Sequence, residues 1–176
     1  GTACVGGVVG RLSGGSVINC CSTGEVTSSS SDSYAGGVAG QLSGGSVINC
    51  CSTGKVTSSG GAGSAGGVAG ENPNSGTITN CYYLAAGESD DTGSGAGKTQ
   101  AQFASGEVAR LLQNGQETDS ETGAKPQVWG QTLTGEAPDA SPVLTGDPAR
   151  AVLTVTFQNA GTVHRTAYTN PGGTVS

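Results

Sequence analysis

Charge, aromatic rings and methionine are all scarce in this sequence, and each shortage removes a class of protein. Charged residues are 11% and aromatics 4% of the 176 residues, with two Phe, one Trp and no Met. So few large side chains cannot fill a broad core, and a thin, elongated one is expected instead. Only seven Lys and Arg occur, against a formal net charge of −6. With no basic cluster to neutralise phosphates, a nucleic-acid partner is excluded, and an anionic membrane surface is disfavoured. No apolar run approaches the roughly 20 residues needed to cross a bilayer. There is no signal peptide either. Because Gly1 falls inside a repeat, the sequence reads as cut from a longer precursor.

Glycine is abundant, at 33 residues. Disordered chains are normally charge-rich and lack spaced apolar residues, whereas here Val, Ile and Leu recur at regular places. Gly6-Gly7-Val8-Val9-Gly10 returns as Gly36-Gly37-Val38-Ala39-Gly40 and as Gly66-Gly67-Val68-Ala69-Gly70, 30 residues apart each time. Ser13 to Gly24 recurs letter for letter at Ser43 to Gly54, and a drifted third copy runs Ser75-Gly76-Thr77-Ile78-Thr79-Asn80-Cys81-Tyr82. Self-similarity at such a period marks a solenoid or a propeller. Propeller blades need about 40 residues and a regular aromatic, and both are missing.

Each unit reads as three short strands: Gly-Gly-Val-x-Gly, Ser-Val-Ile-Asn-Cys and Thr-Gly-x-Val-Thr. None buries enough to fold alone, so the copies must stack, with each backbone edge pairing at about 4.8 Å. The expected fold is all-β: a parallel β-solenoid of about three 30-residue coils over residues 1–87. Val8, Val38 and Val68 would form one ladder, Val17, Val47 and Ile78 a second, and Val26 and Val56 a third. Ser28 to Ser33 and Ser58 to Ser64 read as loops, and glycines as corners needing positive φ or close approach. A closed three-fold barrel of the three copies is the competing arrangement.

These residues resemble the GLUG repeat, although Val or Ala stands where Leu is common, and Cys21 and Cys51 where an aromatic such as Tyr82 is common. That repeat occurs in exported bacterial surface proteins, including adhesin-like proteins and the non-catalytic region of some immunoglobulin A-cleaving metallopeptidases. The resemblance implies surface display and brings no catalytic residues.

In a stack, Cys20, Cys50 and Cys81 form one row, and Cys21 and Cys51 another. No CxxC pair or neighbouring His suggests zinc. Cross-rung disulfides fit the spacing, but buried free thiols filling a thin core are the preferred reading. On a straight strand Cys21 shares a phase with Val17 and Cys20 with Ile18. The third copy favours Val17 as inward, while Asn19, Asn49 and Asn80 offer bends that would reset the count.

Beyond Gly87 the repeat stops. Glu88 to Gly97 reads as an acidic linker, within residues 88–148 that supply a capping helix and terminal strands. Thr99 to Gln102 fits a capping box, and Phe103, Val108, Leu111 and Leu112 follow at helical spacing, split by Gly106 and ended by Gly115. Val128 to Leu133 and Pro142-Val143-Leu144 read as short strands that, with the helix, would cover the array's last open edge. Residues 149–176 read as the opening of a further, incomplete β module, with a strand over Ala151 to Phe157 and a turn at Asn170-Pro171-Gly172-Gly173.

The function these features suggest is a structural or adhesive display segment of an exported bacterial protein, cell-surface or secreted, monomeric and non-enzymatic, with a host or matrix glycan or protein as partner. No cofactor is implied. His164, the one histidine, sits in the terminal strand segment away from any catalytic companion, and Gly61 to Gly66 only approximates a nucleophile elbow. Glu88, Asp90 and Asp91 read as a solvated charge run rather than a calcium site. The alternative function is carbohydrate binding, with Tyr82, Tyr83 and Trp129 as a stacking platform, though Trp129 also suits the core of the cap.

Overall fold

Repeats 30 residues apart lie directly beside one another. The computed structural model describes residues 2–58, 64–73, 76–85 and 95–175, and the chain divides into two compact units, 1–99 and 100–176.

In the first unit, coil one holds β1 (Ala3–Gly6), β2 (Val9–Leu12), β3 (Ser16–Ile18), β4 (Cys21–Ser22) and β5 (Val26–Ser28). Coil two repeats them as β6 (Ser33–Gly36), β7 (Ala39–Leu42), β8 (Ser46–Ile48), β9 (Cys51–Ser52) and β10 (Val56–Ser58). Coil three adds β11 (Ser64–Gly66), β12 (Ala69–Glu71), β13 (Thr77–Thr79) and β14 (Tyr82–Leu84). Every inter-coil pair is parallel and in register: Val47 lies between Val17 and Ile78, and Val26 pairs with Val56. At the corner, the Val8 amide donates to the Val38 carbonyl and the Val38 amide to that of Val68. All three expected valine ladders are present. The unit is a parallel β-solenoid, and the closed barrel falls away.

A complete coil carries five strands rather than three. Gly-Gly-Val-x-Gly is a corner, not a strand: the chain bends at Gly7-Val8 and Gly37-Val38 between two short strands. Close approach, not positive φ, demands the glycines there. A Cβ on Gly40 would stand 2.5 Å from the Val5 nitrogen and 2.6 Å from the Gly10 carbonyl oxygen. The asparagines supply the positive φ instead, at 55°, 52° and 52° for Asn19, Asn49 and Asn80. Their short polar side chains tolerate that region better than most. The first loop is also shorter than expected, because Ser28 ends β5 and Ser33 begins β6, and both are buried. Most of the second loop, residues 59–63, lies outside the described residues.

The array does not stop at Gly87. Ala96–Lys98 forms β15, a further parallel strand on β14. Those residues do not match the repeat letters they stack on; their backbone pairs with β14. Glu88, Asp90 and Asp91 lie outside the described residues.

The column inside consists of Val38, Ala39, Leu42, Val47, Cys50, Val68, Ala69 and Cys81, with Val9, Leu12, Val17, Cys20, Ile78 and Tyr83 packed against it. Ile18 points out and is 50% exposed. Val17 is therefore the inward phase. The left-handed Asn19 and Asn49 then shift the alternation, so that Cys20 and Cys50, not their neighbours, face this column.

The second unit has its own core. Helices α1 (Gln100–Ala104) and α2 (Glu107–Asn114) meet at Gly106, whose φ of 87° breaks the helix as expected. Gly115 follows in right-handed geometry. Phe103, Val108, Ala109, Leu112, Trp129 and Val152 are buried together with Gln113 and Gln131. Of the expected strands, only Trp129–Gly130 (β16) and Val143–Leu144 (β17) pair, antiparallel. The Gln113 side chain closes the rest, accepting from the Val128 and Trp129 amides at 3.0 and 2.9 Å and donating to the Pro126 carbonyl at 2.8 Å.

Residues 149–176 belong to this unit. After a 3-10 turn at Pro148–Arg150, β18 (Leu153–Asn159) and β19 (Thr162–Thr169) make an antiparallel hairpin closed by Ala160 and Gly161, both at positive φ. Asn170 ties its end inward, accepting from the Leu133 amide and donating to the carbonyls of Gln131 and Ala151. The expected turn follows, with the Gly173 amide on the Asn170 carbonyl at 3.0 Å.

Candidate functional site

Three groups of chemistry-bearing residues stand out, and stacking creates two of them. The first is the cysteine row. At each asparagine bend the inward thiols lie against backbone carbonyls and add a second donor to them. Cys50 Sγ donates to the Ile48 carbonyl at 3.1 Å and reaches that of Val17 at 3.6 Å. Cys81 repeats the arrangement one coil on, with Thr79 at 3.2 Å and Val47 at 3.4 Å. Cys20 donates to Ile18 at 3.4 Å. Hydrogen bonding to Cys81 and burial push the Cys50 thiol far above its ordinary range, so it stays protonated. Burial, with Cys50 alongside, also raises that of Cys20. Cys20 and Cys50 are therefore quiet thiols, since reactivity needs thiolate, whereas hydrogen bonding with Cys50 lowers the Cys81 thiol.

Beside this row a disulfide joins Cys21 and Cys51, whose Cα atoms are 4.6 Å apart. The preferred reading of free thiols does not describe this pair, while Cys20, Cys50 and Cys81 are unbonded here, Cys20 only partly buried. In-register parallel pairing brings the two residues within the span a disulfide accepts.

The second group faces outward. Arg11, Gln41 and Glu71 occupy one register position in successive coils. Gln41 donates to Glu71, and Cys4 Sγ lies 3.8 Å from the Gln41 Oε1. Tyr34 hydrogen-bonds Glu71, which together with burial raises its phenol, leaving it a donor at neutral pH. This cluster is absent from the sequence reading. Its only trace there was a polar residue recurring after the third glycine of each copy.

The aromatic platform does not assemble. Tyr82 and Tyr83 are consecutive on β14 and so point to opposite faces. Tyr83 packs against the column, and a Cβ on Gly67 would overlap its ring. Tyr82 donates to Asn80 Oδ1 at 2.6 Å, with the Lys98 ammonium 6.0 Å from its ring centre. Asn80 in turn donates to Asn49 at 2.8 Å. Trp129, in the second unit, is 0% exposed and offers no face to a sugar. Its place in the core follows from the helix and Gln113 around it.

The third group is a buried polar hub in the second unit. Gln131 Nε2 donates to the carbonyls of Phe103 at 2.9 Å and Asp139 at 2.8 Å. Asp139 accepts from the Thr132 amide and Arg150. Burial alone would raise the Asp139 carboxyl, but these donors outweigh it and hold it below the usual range. The hub knits strands to helix, with Gln131 buried and the Asp139–Arg150 pair partly exposed. His164 is exposed on β19. Among the described residues no group of three or more His, Cys, Asp and Glu is placed to hold a metal ion.

Comparison with known proteins then decides what the first unit is similar to. A model of the GLUG motif matches residues 31–57. The second coil carries a GLUG motif. The matched stretch runs from the end of the first loop through β10, one turn of the solenoid. The GLUG coil is thus the fully sandwiched middle one, with a coil on either side. Among solved structures, a candidate immunoglobulin A1 protease from Bacteroides ovatus is similar, with a TM-score of 0.55 at 20% identity. The match covers 84% of this chain and 54% of that one, so the chain spans about half the length of the protein it matches. At this identity the likeness shows the fold alone. No curated protein matches the sequence. No described helix is long and apolar enough to cross a membrane.

Proposed function

We propose that this chain is a non-catalytic display segment of an exported bacterial surface protein, in which the GLUG solenoid is a scaffold and the coil's outer ladders present its adhesive face. The observation that supports this most is the interior: the repeat fills its own column with Val, Ala, Leu and Cys, and several of the solenoid's polar groups pair across coils. Thr27 and Thr57, for example, share a hydrogen bond of 3.0 Å between coils. Extracellular placement suits both the motif and a cross-coil disulfide, which persists in oxidising surroundings. The structural neighbour's printed activity raises one competitor, proteolysis of immunoglobulin A1. A protease needs a nucleophile or metal with a base in reach, and the Cys20 and Cys50 thiols are held protonated.

The test uses the whole chain. It is incubated with immunoglobulin A1 while beads coated with it are presented to host cells and extracellular matrix. Bead capture without cleavage is the expected result. Cleavage that tracks the purified chain would overturn the non-catalytic reading, and beads that bind no surface would remove the adhesive one. The carbohydrate alternative keeps only Tyr82 as an outward ring. A glycan array reads it directly, and binding lost in Tyr82→Ala would revive it.

A further inference from the structure

The disulfide at Cys21 and Cys51 uses one face of a pair of strands whose other face carries two more cysteines in the same two coils. The backbones there are clamped: the Cys51 amide donates to the Cys20 carbonyl at 2.8 Å, and the Asn19 amide to the Ile48 carbonyl at 3.1 Å. Cys50 leans toward the first coil, its Sγ 3.4 Å from the Cys20 nitrogen and 3.6 Å from the Val17 oxygen. The two side chains are within hydrogen-bonding reach of each other. The Cys51 amide on the Cys20 carbonyl holds this pair on the same two coils as its neighbour, which is already bonded.

Cys50 also touches Cys81, so two partners compete for it. Access separates them. Cys20 is partly exposed, whereas Cys81 is 3% exposed. An oxidant from solvent meets Cys20 first. We propose that Cys20 and Cys50 form a second disulfide between the first two coils, leaving Cys81 as a thiol.

The oxidant is a small-molecule disulfide, for which oxidised glutathione is the probe. The Cys20 thiolate attacks one glutathione sulfur, breaking the S–S bond and releasing one glutathione thiolate. The Cys50 thiolate then attacks the Cys20 sulfur of the mixed disulfide, forming the Cys20–Cys50 bond and expelling the second glutathione. Two protons leave the protein and two electrons reduce the probe. Because both thiols are held protonated, the reaction should be slow at neutral pH and quicken as the pH rises.

The chain's sequence makes the outcome readable. Arg11, Lys55 and Lys98 are its first three basic residues, so trypsin places Cys4 in one peptide, Cys20, Cys21, Cys50 and Cys51 in the next, and Cys81 in a third. The full chain is oxidised in its folded state, unfolded without reductant, alkylated and weighed. The proposal expects a mass about 4 Da below the reduced chain before alkylation, at about 2 Da for each bond. Alkylation should then fall on Cys4 and Cys81 alone. In Cys50→Ser, Cys20 should instead retain one glutathione and only one bond should form. Cys81→Ser should still form two bonds. A wild-type chain that stops at one bond, labelling at Cys20 or Cys50, or loss of the second bond in Cys81→Ser would each overturn it.

Discussion

The first coil and the GLUG coil contain the same twelve residues, Ser13–Gly24 and Ser43–Gly54, yet they live in different surroundings. Val8 is 43% exposed and Val38 0%; Val17 is partly covered where Val47 is sealed. Nothing in the letters distinguishes them. The difference comes from neighbours, since the middle coil has one on each side and the first has one. Burial in a solenoid is thus a property of position in the stack, and stability follows nearest-neighbour interfaces rather than the composition of any one coil.

Substitutions at matched positions sharpen that contrast. The largest gap is expected for the leucine pair, because Leu12 and Leu42 are register partners but only Leu42 is fully buried. Leu42→Ala should cost about 4 kcal/mol and Leu12→Ala about 1 kcal/mol, measured by urea unfolding. Equal losses would break the comparison. Next comes the staple between the two coils. Closing 30 residues, the Cys21–Cys51 disulfide should contribute about 3.5 kcal/mol by chain entropy. Melting the Cys51→Ser variant beside the parent reads this, and an unchanged midpoint would show that the bond constrains nothing.

A smaller gap is expected at the glycines before the fifth strand. A Cβ on Gly24 meets nothing within 4 Å, whereas one on Gly54 would overlap the Gly24 carbonyl. Gly54→Ala should therefore cost about 2–3 kcal/mol and Gly24→Ala less than about 0.5 kcal/mol. Smallest is the bend. Asn49→Ala loses a left-handed residue and its bond to Asn80, for about 1–2 kcal/mol. Asn49→Gly should recover part of it, because glycine accepts that φ.

The second unit supplies a pH-dependent counterpoint outside the stack. The Asp139 carboxyl lies below its usual range in the folded state. Its contribution is therefore present above the unfolded carboxylate pKa and disappears as pH falls through the folded value. The parent should lose stability on acidification more steeply than Asp139→Asn, by thermal melts at stepped pH.

The stacking register was legible because whole phrases recur at a fixed period, so aligning the letters aligns the strands. Corners were harder. Gly-Gly-Val-x-Gly carries no sign that the chain turns inside it, since the need for glycine comes from a backbone in the next coil. The same holds for β15, where Ala96–Lys98 pair with an edge that the letters of the repeat do not announce. At the cysteines, a count of alternating residues points the wrong member of each pair inward unless the φ of the preceding asparagine is known. Trp129 was readable as a core residue from the apolar Val128 beside it, but its contact with Gln113, 16 residues earlier, was not. The outward cluster of Tyr34, Gln41 and Glu71 needed two coils superimposed before its members met.

Ser16 and Thr77 flank Ser46 in the stack and point outward two coils apart. Spin labels carried there on non-canonical side chains measure the stacking itself. In-register coils place the two Cα atoms about 10 Å apart, and the continuous-wave spectrum should be strongly dipole-broadened. A sharp spectrum, matching the sum of the singly labelled chains, would mean that the coils do not lie over one another.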